Sequence, residues 1–140
     1  MQSTSSHYAC SVVSMDSLAW LAGIIDADGY IGLQKVGEHY YVRVEIYNRN
    51  WELIERVANA LRRLGVSFSI FYSHGDFTVR VGRMRDVYNF LRMLRPYLIA
   101  KLPRADICLR YLNHRLKNYG KPYGDVERDL IRQFHSLEQS

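Results

Sequence analysis

At 140 residues, 48% hydrophobic and 24% charged, the chain is long enough to bury one hydrophobic core without disulfide or metal staples and has the composition of a folded globular domain rather than a disordered one. Its formal charge of +5 is compatible with a polyanionic partner but does not require one, because charge speaks to association rather than fold. The greasiest run, residues 18–25, is bounded by Asp16 and Asp26 and falls well short of the roughly 20 residues that cross a bilayer, so no membrane partner is expected.

The first residues lack the basic start and long apolar middle of a secretory signal, which makes an intracellular protein the expectation. Residues 1–15 read as a polar leader, after which Asp16 or Ser17 can cap a helix whose apolar positions begin at Leu18 and which Gly29 is placed to stop. Residues 30–36 alternate loosely, Gly37-Glu38-His39 supplies a turn, and residues 40–47 carry Val42, Val44 and Ile46 at period two, which predicts a β-hairpin. Residues 51–64 then shift to helical spacing with Gly65 as the stop.

Alternation returns in residues 66–72 and at Phe77, Val79 and Val81, joined around Ser73-His74-Gly75-Asp76 as a second hairpin. Residues 87–94 read as a helix interrupted at Pro96, and residues 105–116 as another following Pro103. Residues 119–140 form an extension with a last helix over 125–137. The order predicts an α+β fold with one four-stranded antiparallel sheet, helices on one of its faces, and a single domain over residues 1–140. Cys10 and Cys108 lack C-x-x-C spacing, which argues against a zinc site or redox pair.

Each strand keeps its apolar residues at alternate positions, leaving Gln34, Arg43, Glu45, Tyr47, Asp76, Thr78 and Arg80 on the other face. That face is either simply solvated or enters a DNA major groove, where Arg reads guanine, Gln reads adenine and Glu accepts from cytosine. On the first helix, Ala19, Ala22, Gly23 and Ala27 recur at three- and four-residue steps, a strip without bulky side chains. Such a strip serves either the close approach of another helix or packing against the chain's own core. Asp26 and Asp28, two residues apart, point in different directions on a helix and so need different roles. Asp28 lies where the exposed carbonyls and negative dipole end of the helix favour a cation.

Residues 21–29, Leu-Ala-Gly-Ile-Ile-Asp-Ala-Asp-Gly, resemble the signature of the LAGLIDADG homing endonucleases and depart from it only by Ile24 in place of Leu. Nine consecutive specified positions are far more discriminating than a short glycine pattern. The family core is likewise helix, hairpin, helix, hairpin, helix, with the four-stranded sheet as the DNA-binding surface, and that order covers most of the chain.

The resemblance implies that Asp28 is the metal-binding acid, Ala27 a carbonyl ligand and Asp26 structural, with Ala22, Gly23 and Asp26 at an interface where two copies of the helix meet. Lys101, five residues after Pro96, resembles the basic residue that orders the active-site water network; the alternative is a solvated loop lysine. Asn48 falls where relatives carry Gln or Asn to position the attacking water. Gln34, Arg43, Glu45, Asp76, Thr78 and Arg80 are the expected DNA-binding residues.

One copy of the motif per chain implies a homodimer that cuts a palindromic or nearly palindromic double-stranded site and leaves 3′ overhangs. Mg²⁺ is the implied cofactor, with Mn²⁺ as a substitute and Ca²⁺ as an ion that binds without supporting cutting. Intron homing is the implied setting, with a cytoplasmic, nucleoid-associated location if the host is prokaryotic and an organellar one if the gene is organelle-encoded. An RNA maturase acting on intron RNA and a non-cutting DNA-binding regulator are the alternatives.

Overall fold

In the computed structural model, the backbone of residues 2–139 and the side chains of residues 15–139 are described. The first helix, α1 (Gln2–Asp28), runs without interruption through Asp16 and Ser17, so neither residue caps it. The expected polar leader is helical in its backbone; the stretch contains no proline or glycine before Gly23 to break the helix. Gly29 opens the first strand, and a Cβ there would lie 2.8 Å from the Ile25 backbone and 3.0 Å from the Glu45 carbonyl. Only glycine permits the chain to turn so sharply from helix into sheet at this point.

Strands β1 (Gly29–Val36) and β2 (His39–Asn48) pair antiparallel across a two-residue turn, with His39 already paired to Val36 and thus part of the strand rather than the turn. Helix α2 (Trp51–Arg63) begins at an Asn50 cap whose side chain accepts from the Leu53 N–H at 3.0 Å. It stops in a Schellman arrangement: Gly65, at φ +74, donates to the Arg62 carbonyl, and Val66 donates to that of Leu61 at 3.0 Å. This cap holds Val66 against the core, so β3 (Ser69–Ser73) starts three residues later than the alternation predicts.

The turn to β4 (Asp76–Val81) is made by His74 at φ 53 and Gly75 at φ 84, the doubly left-handed pattern that matches strand twist. The sheet order is β1-β2-β4-β3, so the second strand of each hairpin meets the other at the centre.

Helix α3 (Met84–Leu94) passes through a 3-10 turn at Arg95–Tyr97 into α4 (Leu102–Lys117), which accommodates Pro103 in its first turn and therefore begins ahead of that proline. Helix α5 (Asp125–Gln139) closes the chain. The core joins Leu21, Ile25, Ile31, Val44, Ile46, Ile54, Val79, Val87, Phe90 and Leu94 on one face of the sheet. Truncating a side chain such as Phe90 to alanine is expected to cost about 3–5 kcal/mol by lost transfer energy and cavity formation.

Helix α5 is fastened to α4 by a buried ion pair, Arg115 Nη1 to Glu127 Oε2 at 2.7 Å. Glu127 also accepts the Gly124 N–H at 3.1 Å, half of a capping box for α5. At the β1 edge, the Arg104 guanidinium lies between the Tyr30 and Phe134 rings, 5.3 and 4.9 Å from their centroids, and its Nε donates to the Ile31 carbonyl at 2.7 Å. Cys108 is free and buried, and burial pushes its thiol up to about 12, consistent with an inert core residue. Cys10 lies outside the residues whose side chains are described. Among the described residues, no helix is long and apolar enough to cross a membrane.

Candidate active site and nucleic-acid interface

Helix α1 has two faces of different character. Leu18, Leu21, Ala22 and Ile25 recur at three- and four-residue steps and are buried in the core. Ala19, Trp20, Gly23, Ala27 and Asp28 are exposed on the other side, with Ile24 half-buried among them. Ala22, expected on the outward strip, therefore belongs to the core stripe: it sits four residues after Leu18 and three before Ile25, and its fractional exposure is 0%. Gly23 does face outward, and a Cβ built there meets nothing within 4 Å.

Asp28 ends α1 on this outward side. Among the described residues its carboxylate has neither a hydrogen bond nor an ion pair. It lines an open cavity of about 360 Å³ together with Ala19, Trp20, Gly23, Ile24, Ala27, Tyr47, Asn48 and Leu53. Asn48 reaches the cavity because β2 ends beside the end of α1, Gly29 pairing with Ile46 two residues earlier. The Asn48 side-chain oxygen accepts the Asn50 N–H at 2.8 Å, which fixes the amide and leaves its NH₂ donors without a partner among the described residues.

Asp26 points the other way, into its own chain. Its two carboxylate oxygens accept the backbone N–H groups of Ile99 and Lys101 at 2.8 and 3.0 Å. The Lys101 ammonium in turn donates to the Asp26 carbonyl at 3.0 Å. The carboxylate is thus engaged within the chain, bracing the end of α1 against the turn at residues 99–101. Lys101 is no freely solvated loop lysine: its charge is held at the C-terminal carbonyls of α1, one residue before Ala27.

The described residues contain no cluster of three His, Cys, Asp or Glu side chains that could enclose a metal ion. One uncommitted carboxylate at the negative end of a helix does fit a hard cation such as Mg²⁺, which takes one or two carboxylates and fills its remaining positions with water and phosphate oxygens. Asp28, with the neighbouring Ala27 backbone, would hold such an ion.

The sheet face away from the core carries the residues that alternation predicts, but not all at the surface. Gln34, Arg43, Thr78 and Arg80 are half-buried, and Asp76 pairs with Arg49 at 3.4 Å beside the second hairpin turn. Glu45 departs from the expectation of a cytosine acceptor: it is 3% exposed and receives Arg80 Nε at 2.6 Å, Tyr47 Oη at 2.8 Å and Gln34 Nε2 at 3.2 Å. Burial pushes its carboxyl up, but the bonds from Arg80, Tyr47 and Gln34 outweigh burial and hold it below the ordinary glutamate value. Burial and the Glu45 bond together raise the Tyr47 phenol, which stays protonated as the donor.

Arg43, Arg80 and Arg83 line a second cavity of about 520 Å³ on this face with Ser67, Ser69 and Phe71. Within it the Arg43 Nε is buried without a protein acceptor. The sequence places Tyr47 on the polar sheet face but not beside Asp28, and it does not single out Trp20, Leu53 or Arg83 as site residues. For Tyr47 a signal existed in its place beside Asn48 on an alternating strand. For the others nothing local distinguishes a cavity wall from a surface residue.

Residues 16–95 match the family model described as the LAGLIDADG-like domain. An uncharacterised protein of Methanocaldococcus jannaschii is 33% identical over 54 residues, a stretch covering 39% of this chain and only 20% of that relative. In fold, the chain is similar to the homing endonuclease I-CvuI in complex with its target, at a TM-score of 0.75 and 22% identity over 90% of this chain and 82% of that one. It also resembles the meganuclease I-AabMI bound to uncleaved DNA, with a TM-score of 0.71 and 15% identity; the match covers 85% of this chain and 44% of that larger one. The α+β architecture is thus that of the LAGLIDADG homing endonucleases, here with one copy of the motif in the chain.

Proposed function

We propose, on the premise that this chain belongs to the LAGLIDADG-like domain family, that it is a site-specific DNA endonuclease that acts as a homodimer on a palindromic or nearly palindromic site. The observation that carries this reading is the uncommitted Asp28 carboxylate at the end of α1, in one cavity with Asn48, with the Lys101 ammonium anchored to the Asp26 carbonyl two residues earlier on the same helix. The neighbours in fold are endonucleases, several of them in complex with DNA, which supports the same reaction class.

A divalent cation bound at Asp28, with Mg²⁺ as the physiological ion, supplies charge neutralisation at the scissile phosphate and acidifies water. The chain's own groups do the rest. Lys101 presents a fixed positive charge toward the phosphate without having to be ordered at the moment of reaction. The Asn48 amide, pinned through its oxygen, offers N–H donors to orient the attacking water. The polar sheet face, with Gln34, Arg43, Thr78 and Arg80, enters the major groove and selects the sequence.

One carboxylate per chain makes a half-site, which is why a dimer is proposed. The exposed Ala19, Gly23 and Ala27 on α1 allow a second copy of the helix to approach closely, and that approach brings two Asp28 residues together. Their mutual repulsion is relieved when cations bind, so metal and DNA stabilise the paired arrangement. Cutting that leaves 3′ overhangs, an intron-homing role and an intracellular setting belong to the same proposal.

The test is Mg²⁺-dependent nicking or double-strand cutting of DNA that spans the insertion site of the host intron or intein. Cutting by the wild-type chain and none by D28N is the expected result. Binding to folded intron RNA with no DNA cutting would instead make the chain a maturase, and sequence-specific DNA binding without cutting would make it a regulator.

A further inference from the structure

The outward face of the sheet contains a carboxylate withdrawn from solvent by its own neighbours. Glu45 collects three donors from different parts of that surface: Gln34 from the edge strand β1, Tyr47 two residues along β2, and Arg80 directly opposite on β4. An acid placed only to contact a base would be exposed and unpaired. Glu45 is neither.

The three donors differ in what they face. Arg80 uses its Nε for Glu45 and is held on its other side by the Phe71 ring, 4.8 Å from the guanidinium carbon. With Nε committed, its two terminal nitrogens remain, and they are the pair that matches the O6 and N7 acceptors of one guanine edge. Arg43 on the same face provides the contrast: it has no ion-pair partner among the described residues and rests loosely on the Tyr41 ring at 5.9 Å. Tyr47 belongs to the other end of the site, because its side chain lines the cavity with Asp28 and Asn48.

We infer that Glu45 is a positioning residue that fixes Arg80 to read a guanine in the major groove and, through Tyr47, ties that reading to the wall of the Asp28 cavity. The inference rests on the proposed DNA-cutting function and adds to it a determinant of sequence choice. The physical reason is preorganisation. A free arginine samples many rotamers and satisfies any phosphate or base it meets, whereas one clamped by a buried carboxylate and an aromatic ring presents a single donor pattern.

The experiment selects bound sequences from a randomised double-stranded DNA pool with the wild-type protein, R80A, E45Q and Y47F, and measures single-turnover cutting of the selected wild-type sequence. The wild type is expected to prefer guanine at one position of each half-site, and R80A to lose that preference. E45Q should weaken the preference at the same position roughly tenfold or more, the scale of one bidentate base contact, while preferences elsewhere persist. Y47F should keep the guanine preference and cut more slowly.

A folded E45Q that keeps the wild-type preference at the position sensitive to R80A overturns the inference, and unchanged cutting by Y47F overturns the link to the cavity. Should E45Q fail to fold, E45D, which keeps the charge but shortens the reach to Arg80, carries the same expectation. A wild-type chain that selects no sequence would overturn the proposed DNA recognition itself, a failure distinct from that of the Glu45 variants.

Discussion

Asp26 and Lys101 clasp one another across 75 positions of sequence: the aspartate accepts the lysine's backbone N–H at 3.0 Å, and the lysine's ammonium donates to the aspartate's carbonyl at 3.0 Å. The clasp joins the end of α1 to the turn ahead of α4. Replacing Asp26 with alanine removes the acceptor for two backbone donors and is expected to cost about 1–3 kcal/mol, measured by urea denaturation. It should also slow cutting, because Lys101 loses its anchor. K101A removes the charge-assisted bond to the Asp26 carbonyl and is expected to cost about 1.5–3 kcal/mol, while lowering the single-turnover cutting rate of the still-folded chain roughly 100-fold, the scale of losing a preorganised charge at a reacting phosphate.

D28N is expected to fold like the wild type and to bind the same DNA, since the Asp28 carboxylate has no partner within the described residues. Cutting should fall below detection at matched Mg²⁺. Thermal melting, a binding isotherm in Ca²⁺ and a plasmid-nicking assay separate the three properties. Wild-type nicking by the purified variant would remove Asp28 from the metal site.

Two neighbouring positions on α1 should respond in opposite ways. The outward side of Gly23 is open, so G23R is expected to keep the fold of the single chain but to prevent close approach of a second copy. Sedimentation should then show a monomer, and double-strand cutting should be lost. Ala22 is buried, so A22L overpacks the core and should lower stability by about 1–3 kcal/mol whatever the state of assembly.

The Arg115–Glu127 pair predicts an acid limb of stability. Burial pushes the Glu127 carboxyl up, but the Arg115 pair and the Gly124 N–H more than offset this, and the net shift is below the ordinary glutamate value. A carboxyl lowered in the folded state contributes stability that is present above its unfolded value and is lost as pH falls through the folded one. E127Q should therefore cost about 3–5 kcal/mol near neutrality, because it removes the buried carboxylate charge that Arg115 and His114 both contact and leaves the Arg115 cation with neutral acceptors alone. Its stability should also depend less on pH across the carboxylate range than that of the wild type. Denaturant titrations at several pH values check both, and parallel wild-type and variant curves would count against the assignment.

Much of this is legible in the sequence. Alternation at Val42, Val44 and Ile46 set the faces of β2, His74-Gly75 marked the second hairpin turn, and residues 21–29 carried the family signature. These features are local, governed by side-chain periodicity and the backbone freedom of glycine, so a linear reading recovers them. The boundaries that shifted are those where a neighbouring element intervened, as at Val66, which the Gly65 cap draws against α2 and out of the strand.

The sequence by itself determined the order of elements, the polar face of the sheet and the presence of Asp28 at a helix end. Only the tertiary structure decided which small residue of α1 faces outward, because Ala22 and Gly23 lie within the same broad strip and packing against the core chose between them. It likewise decided that Glu45 is buried, since its strongest partner, Arg80, arrives from a strand 35 positions away, and that Asp26 holds the Lys101 turn. Hydrophobic periodicity reports which side of an element meets apolar neighbours. It carries no information about which charged groups meet across the fold, and those meetings shape this site.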